Sequence, residues 1–334
     1  MRHFLIVGIL VIAMAVLTYF GLDSAGLMPV EASLQAVPID WLWNLQVIAI
    51  SFLFALIVVP MFYSLIVFRR RKGDTTDAEH IEGNTKLEIA WTVVPLFIVV
   101  IFAYLGAGNL AETRRIDPNA MVVKVTGIQW SWKFEYPDYG VVSDELHVPL
   151  GKQVLLQMTS TDVIHSFWVP EFRVKQDLVP GRITELRITP TLVGNYVVRC
   201  AELCGTSHAY MEKPVIVSSQ VDFDTWMSGQ VALAEQASQT PEGRGQALVT
   251  ANGCAACHSI NGAAGIGPTW LGVFDHEVAL SDGSTVIADD EYLAESIRLP
   301  QAKIVAGFEN QLMPAYGFTE EQISDIVAYI KTLR

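Results

Sequence analysis

Three uncharged apolar runs lie before residue 111, and they constrain the fold more than any other feature of the sequence. They cover residues 4–20, 42–68 and 89–110, and the last two are long enough to cross a bilayer with some tilt. Residues 38–111 are therefore predicted to form a transmembrane helical hairpin. Residues 1–25 fit either a signal peptide or a first transmembrane helix, and we favour the helix because no A-x-A cleavage motif follows the apolar run.

Four consecutive cations, Arg69 to Lys72, close the second apolar run. By the positive-inside rule this end of the helix faces the cytoplasm, so everything after about residue 112 is expected on the outer face. The sequence thus predicts a multi-pass membrane protein with its large external part on the outer face of the membrane.

The pattern changes to short alternating strands over residues 112–230, with turn signals at the spacing of an antiparallel sandwich. Residues 231–242 are polar and predicted to be a linker. Residues 243–334 are predicted to be a small helical domain, which ends in a helix that begins with the capping-box pattern Thr319 to Gln322.

The external part is acidic, which excludes one class of partner. Residues 221–334 carry 15 Asp and Glu side chains against 5 Lys and Arg, and the net charge of the whole chain is -13. Nucleic-acid binding needs a basic surface, so no nucleic-acid partner is expected.

All 4 cysteines belong to two short stretches. In residues 200–211, Cys200, Cys204, His208 and Met211 offer soft ligands of the kind that select copper, zinc or iron–sulfur chemistry. The spacing is not that of a zinc ribbon. Two thiolates could bridge two coppers, each completed by an imidazole. The second imidazole would come from His147, His165 or His276, with His165 favoured at a strand end. A disulfide between Cys200 and Cys204, with the other two residues in ordinary packing, remains the alternative.

Several strings resemble subunit II of the haem–copper cytochrome c oxidases. They are DVIHSFWVP at residues 162–170, the loop at 200–211, GIQWSWKFEY at 127–136 and LEIAWT at 87–92. The resemblance covers about residues 35–230. It implies an all-β cupredoxin domain, a Greek-key sandwich, that holds a dinuclear mixed-valence copper centre.

The resemblance also implies roles for single residues. The implied copper ligands are the side chains of His165, Cys200, Cys204, His208 and Met211 and the backbone carbonyl of Glu202. The Glu202 carboxylate would bind magnesium at the border with subunit I. Glu88 would mark the entrance of a proton-uptake channel in subunit I, although an acid at a helix start is commonly just interfacial. Trp130 would be the side chain through which electrons enter, although strand tryptophans are usually core residues.

The second cysteine stretch, Cys254, Cys257 and His258, has the C-x-x-C-H spacing of a c-type haem attachment site. A redox dithiol or half of a zinc site are the alternatives. Met313 is the only methionine after the motif and is predicted to be the distal haem ligand opposite His258, since His/Met ligation suits electron transfer. His276, flanked by acids, competes with it only weakly.

Residues 243–334 resemble a small all-α class I cytochrome c domain, so the whole chain looks like the haem-fused subunit II of bacterial caa-type oxidases. The implied function is an electron relay from an external donor through covalent haem c to dinuclear copper, and on to haem a in subunit I. The implied partners are subunit I, subunit III and a donor such as a cytochrome c, a small copper protein or a quinol-oxidising complex. The alternatives are the copper-bearing subunit of a nitric oxide reductase and a copper or haem assembly protein.

Overall fold

The chain was analysed as a computed structural model that describes residues 1–77, 80, 82–263, 265–310 and 313–334. It forms two compact units, residues 1–115 and 116–334. The first unit contains three helices that are long and apolar enough to cross a membrane: α1 (Arg2–Ser24), α2 (Ala36–Val67) and α3 (Thr85–Thr113). All three apolar runs of the sequence are therefore helical.

Helices α1 and α2 pack together through small and β-branched side chains. Val11 of α1 is buried in a cluster with Ala55 and Val59 of α2. Small residues allow close approach of apolar helices, where dispersion contacts replace the hydrophobic effect. His3 Nδ1 lies 2.7 Å from the Tyr63 hydroxyl oxygen and adds a polar contact between the two helices.

The second unit begins with a sandwich of two five-stranded sheets. One sheet has the strand order β3-β2-β1-β5-β8 and the other β4-β10-β9-β6-β7. The strands are β1 (Met121–Ile128), β2 (Ser131–Tyr136), β3 (Val141–Ser143), β4 (Leu146–Pro149), β5 (Val154–Ser160), β6 (His165–Trp168), β7 (Lys175–Leu178), β8 (Thr184–Ile188), β9 (Gly194–Cys200) and β10 (Glu212–Ser218). Two pairs, β1 with β5 and β4 with β10, are parallel, so the sheets are mixed.

The sandwich core follows from the period-2 alternation of the strands. In β1, Met121, Val123 and Val125 are buried while the residues between them are more exposed. Alternate side chains of a strand point to opposite faces, so one face of each sheet is apolar and meets the other sheet. The predicted sandwich architecture is confirmed.

Helix α4 (Gln220–Ser238) follows the sandwich, so residues 231–238 of the predicted linker are helical rather than irregular. The Ser219 side chain caps the helix by accepting a hydrogen bond from the Asp222 amide at 3.2 Å. Alanines and glutamines in this stretch favour helix even though the polar composition is typical of a linker. Only residues 239 and 240 separate α4 from the next helix, α5 (Pro241–Ala251).

An aromatic cluster fixes α4 to the sandwich. The Trp226 indole stacks on the His147 ring at a centroid distance of 3.7 Å, with 8° between the planes. Tyr136 meets the same indole edge-on at 5.7 Å. Such aromatic pairs add about 0.5–1.5 kcal/mol each beyond the area they bury, so they hold the first half of α4 against the sandwich.

The regular secondary structure of the C-terminal module, residues 243–334, is mainly helical as predicted, with α5 followed by α6 (Asp290–Arg298) and α7 (Glu320–Ile330). It also contains a two-stranded hairpin, β11 (Glu277–Ala279) and β12 (Thr285–Ile287), which was not predicted. Its strands are three residues long, too short to show alternation. The predicted capping box of α7 is confirmed, because Thr319 and Gln322 each bond the backbone of the other.

Helices α5 and α7 cross at a very short distance. A Cβ atom built on Gly245 would lie 1.9 Å from the Asp325 carbonyl oxygen, so only glycine fits at this position. Beside the crossing, the Arg244 guanidinium binds the buried Asp325 carboxylate with two hydrogen bonds, of 2.8 and 2.7 Å. These two hydrogen bonds offset the desolvation cost of burying the Asp325 carboxylate.

Candidate metal centre and haem-attachment site

Pairing of β6 with β9 brings the two parts of the candidate metal site together, namely His165 and the loop that begins at Cys200. In the register of β6 with β9, Phe167 lies opposite Cys200, and the Ala201 amide donates to the Ser166 carbonyl at 2.9 Å. His165, two residues before Phe167, therefore lies beside Cys200 although 35 residues separate them in sequence. The loop from 200 to 211 then returns into β10 and carries the remaining donors.

Five predicted side-chain donors converge at this point. Cys200 Sγ lies 3.9 Å from His165 Nδ1 and 3.7 Å from Cys204 Sγ. Cys204 Sγ lies 3.5 Å from His208 Nδ1 and 3.8 Å from Met211 Sδ. The Glu202 carbonyl oxygen is 3.1 Å from Cys200 Sγ. The two thiols thus form the centre of the cluster, with an imidazole next to each of them.

The two thiols are not a disulfide. A disulfide has an S–S length of about 2.05 Å, whereas these sulfur atoms are 3.7 Å apart and both cysteines are free. The alternative of a structural disulfide is therefore excluded, and both thiols remain able to bind a metal.

The surroundings of the two thiols shift their pKa values in opposite directions. Burial opposes charge on Cys200, but hydrogen bonds with His165 and with backbone groups outweigh it and lower the pKa of this thiol. Burial and the negative charge of Cys200 raise the pKa of Cys204. The thiolate is the form of cysteine that binds metal, so the cluster favours this form at Cys200.

Asp162 holds His165 in position and was not singled out from the sequence. Its Oδ1 lies 2.8 Å from His165 Nε2, and its Oδ2 accepts the Gln129 amide at 2.7 Å. Burial disfavours a charged imidazole, but the hydrogen bonds to Asp162 and Cys200 prevail and raise the pKa of His165 to about 9. With Nε2 bonded to the carboxylate, Nδ1 faces the sulfur cluster. A carboxylate three residues before a candidate ligand histidine is the signal that could have identified it.

Replacement of Asp162 by alanine should weaken metal binding. Loss of an outer hydrogen-bond partner of a ligand histidine typically costs about 10–100-fold in metal affinity, and we expect that loss for copper here. A competitive titration against a copper chelator measures it. Asp144→Ala is the matched control, since Asp144 is an exposed acid paired with Lys213 on the same sandwich. Equal affinities of the two variants would contradict the role of Asp162.

Two neighbouring tryptophans have different environments. Trp130 is half-buried and donates its indole N–H to the Cys204 carbonyl at 3.2 Å, next to a second donor, the Gln129 side-chain Nε2 at 2.6 Å. Trp132 is 1% exposed, donates to the Met211 carbonyl at 3.2 Å and meets the His165 ring edge-on. Trp132 is therefore a core residue that supports the cluster, whereas Trp130 joins the cluster to the surface.

The two predicted acidic residues occupy exposed positions. Glu202 lies in the loop itself and exposes its carboxylate while its carbonyl oxygen faces Cys200. Glu88 lies in the first turn of α3, in the membrane unit, and its carboxylate accepts the amide of the N-cap residue Asn84 at 3.3 Å. Glu88 thus stabilises the start of α3, where a negative charge also favours the helix dipole.

The haem-attachment motif lies shortly after the end of α5 and begins with a short 3₁₀ turn at Cys254–Ala256. Cys254 and Cys257 are free and partly buried. His258 is buried, stacks on Trp270 at 4.7 Å, and its Nδ1 lies 2.8 Å from the Pro268 carbonyl oxygen. A carbonyl that accepts from Nδ1 fixes the tautomer and leaves Nε2 as the atom for an iron ligand.

Met313 lies in the segment before α7, partly buried, with its carbonyl accepting a hydrogen bond from the Gln301 side chain at 3.0 Å. The preceding residues, Gln311 and Leu312, are outside the described part of the chain. Pro268 and Trp270 belong to the string at residues 267–272, which resembles the loop that follows the haem in class I cytochromes c, and they contact His258. Gln301 belongs to no motif, so only the fold shows its contact with Met313.

The donor set fits copper and the motif fits haem c. Two thiols, two imidazoles, a thioether and a carbonyl are soft and borderline ligands that suit copper, and free cysteines beside a buried histidine suit covalent haem. A β-sandwich with this cluster, a module with a haem motif and apolar helices together define a membrane-attached redox protein.

Comparison with protein families agrees with this class. The model of the cytochrome c oxidase subunit II transmembrane domain matches residues 21–106, and that of its periplasmic domain matches residues 141–221. The cytochrome c model matches residues 243–334. A cytochrome c oxidase subunit 2 of Alkalihalophilus pseudofirmus is 31% identical over 307 residues, which are 88% of each chain.

Two further relatives carry the same name. The subunit 2 of a Synechocystis species is 33% identical over 67% of this chain and 81% of its own, and that of Thermostichus vulcanus is 36% identical over 63% and 80%. The chain therefore belongs to the cytochrome c oxidase subunit 2 family, with a fused C-terminal cytochrome c domain. It is a membrane-protein subunit of an oxidoreductase, with a periplasmic, cupredoxin-like domain.

Proposed function

We propose that this chain is the electron-accepting subunit of a membrane-bound terminal oxidase. Electrons from an external donor would pass through covalent haem c to a dinuclear copper centre and on to haem a in subunit I, where oxygen is reduced to water. The observation that carries the proposal is the pair of thiols 3.7 Å apart with one imidazole beside each, His165 at 3.9 Å and His208 at 3.5 Å.

The residues have separate tasks in this proposal. Cys200 and Cys204 would supply the central thiolate ligands of the copper centre, and His165, His208, Met211 and the Glu202 carbonyl would complete the ligand set. A β-sandwich that keeps these donors in one arrangement lowers the reorganisation that accompanies a change of charge. Trp130, bonded to the Cys204 carbonyl, brings electrons to the cluster from the surface.

The remaining sites concern the partner subunits. The exposed Glu202 carboxylate would bind a magnesium ion together with subunit I, and Glu88 would lie at the entrance of a proton-uptake channel of subunit I. Subunit III completes the complex, and the donor is a cytochrome c, a small copper protein or a quinol-oxidising complex. Helices α1 to α3 would each cross the bacterial plasma membrane, with residues 69–72 on the cytoplasmic side and the copper and haem domains on the outer face.

Electron paramagnetic resonance of the full chain, matured with haem and loaded with copper, tests the proposal. One unpaired electron shared equally by two copper nuclei is the expected result. A single-copper pattern would contradict it and favour an assembly protein. Oxygen consumption by the complex with its partner subunits separates an oxidase from a nitric oxide reductase, which would consume nitric oxide instead.

Haem ligation by Met313 gives a further prediction. Met313→Ala should leave the haem attached through Cys254 and Cys257 but lower its reduction potential, because His/Met ligation raises the potential of haem iron. A spectroelectrochemical titration of the haem measures the shift. Gln301→Ala is the control, since it removes only the hydrogen bond to the Met313 carbonyl and should change the potential less. An unchanged potential in Met313→Ala refutes axial ligation.

A further inference from the structure

The loop that follows the haem motif is bonded to the backbone on both sides of His258. The Gly267 amide donates to the Cys257 carbonyl at 2.9 Å, and the Trp270 amide donates to the Ser259 carbonyl at 2.8 Å. The two acceptors belong to the residue before His258 and to the residue after it. The loop is therefore positioned against this one side chain.

Three residues of the loop contact the His258 ring. The Pro268 carbonyl oxygen lies 2.8 Å from Nδ1. The Trp270 indole lies nearly parallel to the imidazole, with a centroid distance of 4.7 Å and 11° between the planes. A Cβ atom built on Gly267 would lie 3.0 Å from His258 Cε1 and 3.1 Å from Nδ1, so glycine allows the loop backbone to approach the edge of the ring.

The hydrogen bond and the stacked indole restrict different motions of the imidazole. A hydrogen bond from Nδ1 fixes the tautomer and the direction of one N–H, but the ring can still rock about the line from Nδ1 to its acceptor. An aromatic ring packed face to face on the imidazole opposes this rocking, because a tilt of the imidazole loses the stacking contacts. The two contacts together leave one orientation of the ring plane.

The indole is itself held by the core of the module. Trp270 is 8% exposed and belongs to the buried cluster that includes Leu293 of α6 and both Ile326 and Ile330 of α7. A side chain packed in this way cannot follow a rotating imidazole, since close-packed cores leave no space for such a movement. Trp270 therefore presents a fixed surface to one face of the ring.

We propose that Trp270 is a positioning residue for the proximal haem ligand, which fixes the plane of the His258 imidazole by stacking on it. The inference rests on the proposed function, because it requires that His258 binds haem iron through Nε2. The plane of a ligand imidazole decides which iron d orbital its π electrons overlap, so the groups around an axial ligand adjust the electronic structure of the iron. A ring held in one plane in both oxidation states also removes a ligand rotation from each electron transfer.

Three substitutions of Trp270 test this role in the full-length chain, matured with haem and not yet loaded with copper. Trp270→Leu and Trp270→Met replace the indole by apolar side chains without a flat face, whereas Trp270→Phe keeps an aromatic face. Tyr292→Leu is the matched control. Tyr292 is an aromatic residue of the same core cluster, 6% exposed, and its ring does not stack on His258 in the described part of the chain.

Electron paramagnetic resonance of the oxidised haem is the readout that depends on the ligand plane. Trp270→Leu and Trp270→Met should shift the largest g value of the low-spin ferric iron and broaden its line, because the imidazole then takes several orientations. Trp270→Phe should keep the position and the width of the unsubstituted signal. Tyr292→Leu should lower the temperature of thermal unfolding, as the Trp270 substitutions do, but leave the g value unchanged. Should Trp270→Leu fail to fold, Trp270→Met carries the test, because its longer side chain fills more of the space.

The possible failures are distinguishable. An unchanged g value and line width in the leucine and methionine variants overturns the role of Trp270, even where their unfolding temperature falls. An equally large shift in Trp270→Phe or in Tyr292→Leu also overturns it, because general loss of packing would then explain the effect. Absence of low-spin ferric haem from the unsubstituted chain refutes ligation by His258 and thereby the proposed function of the haem module, on which this inference depends.

Discussion

Cys200→Ser should abolish the shared-valence copper signal and leave the haem spectrum unchanged. Cys200 is the central donor, with the His165 imidazole at 3.9 Å, the Cys204 thiol at 3.7 Å and the Glu202 carbonyl at 3.1 Å. A serine hydroxyl is a hard donor that stays protonated near neutral pH, so it holds copper poorly and lacks the covalency with copper that a thiolate provides. The loss of copper affinity should exceed the roughly 100-fold that follows removal of an outer hydrogen-bond partner.

The measurement is electron paramagnetic resonance with metal analysis on the same sample. Leu203→Ser is the control, because Leu203 lies in the same loop but is 80% exposed. It should retain two coppers and the shared-valence signal. Retention of that signal in Cys200→Ser would show that the bridging assignment is wrong. Loss of the haem spectrum would show that the substitution had disturbed more than the cluster.

Much of this site could be predicted from the sequence because cysteine, histidine and methionine are recognisable metal ligands. Cys200, Cys204, His208 and Met211 lie within 12 residues, and a loop of that length must bring them near one another. From the residues alone His165 could be favoured over His147 and His276 only because it lies at a strand end, whereas the family resemblance names it as a ligand. Its place beside Cys200 depends on the pairing of β6 with β9, which is a non-local contact.

The residues that were not predicted from the sequence are recognisable only by their contacts in the folded chain. Asp162 is an ordinary acid in sequence, and only the 2.8 Å contact to His165 Nε2 shows its role. Residues 231–238 were predicted to be linker because polar composition cannot show that Trp226 anchors the helix they extend.

Gly245→Ala should unfold the haem module while leaving the sandwich folded. Two effects of opposite sign compete at this position in α5. Alanine is favoured over glycine inside a helix by about 0.5–1 kcal/mol. Its Cβ atom, however, would lie 1.9 Å from the Asp325 carbonyl oxygen and 2.5 Å from its carbon. These are backbone atoms of α7, so α5 and α7 must separate.

Separating α5 from α7 destabilises the module by more than the helix propensity of alanine stabilises it. It would break the two hydrogen bonds between Arg244 and Asp325 and leave the buried Asp325 carboxylate without this partner. Since Ile326, Val327 and Ile330 of α7 belong to the core of the module, loss of their packing adds to this cost. The steric effect therefore wins by several kcal/mol, which is comparable with the whole stability of a domain of this size.

Gly229→Ala provides the matched control for this prediction. Gly229 is also a helical glycine, in α4, and a Cβ atom there would meet nothing within 4 Å. The control should stabilise α4 by about 0.5–1 kcal/mol, since only the helix preference acts there. Thermal unfolding of the module, followed by its haem absorption, should therefore shift to lower temperature in Gly245→Ala and stay unchanged in Gly229→Ala, while the copper signal of the sandwich persists in both. A Gly245→Ala module as stable as the Gly229→Ala one would mean that α5 and α7 do not cross at Gly245.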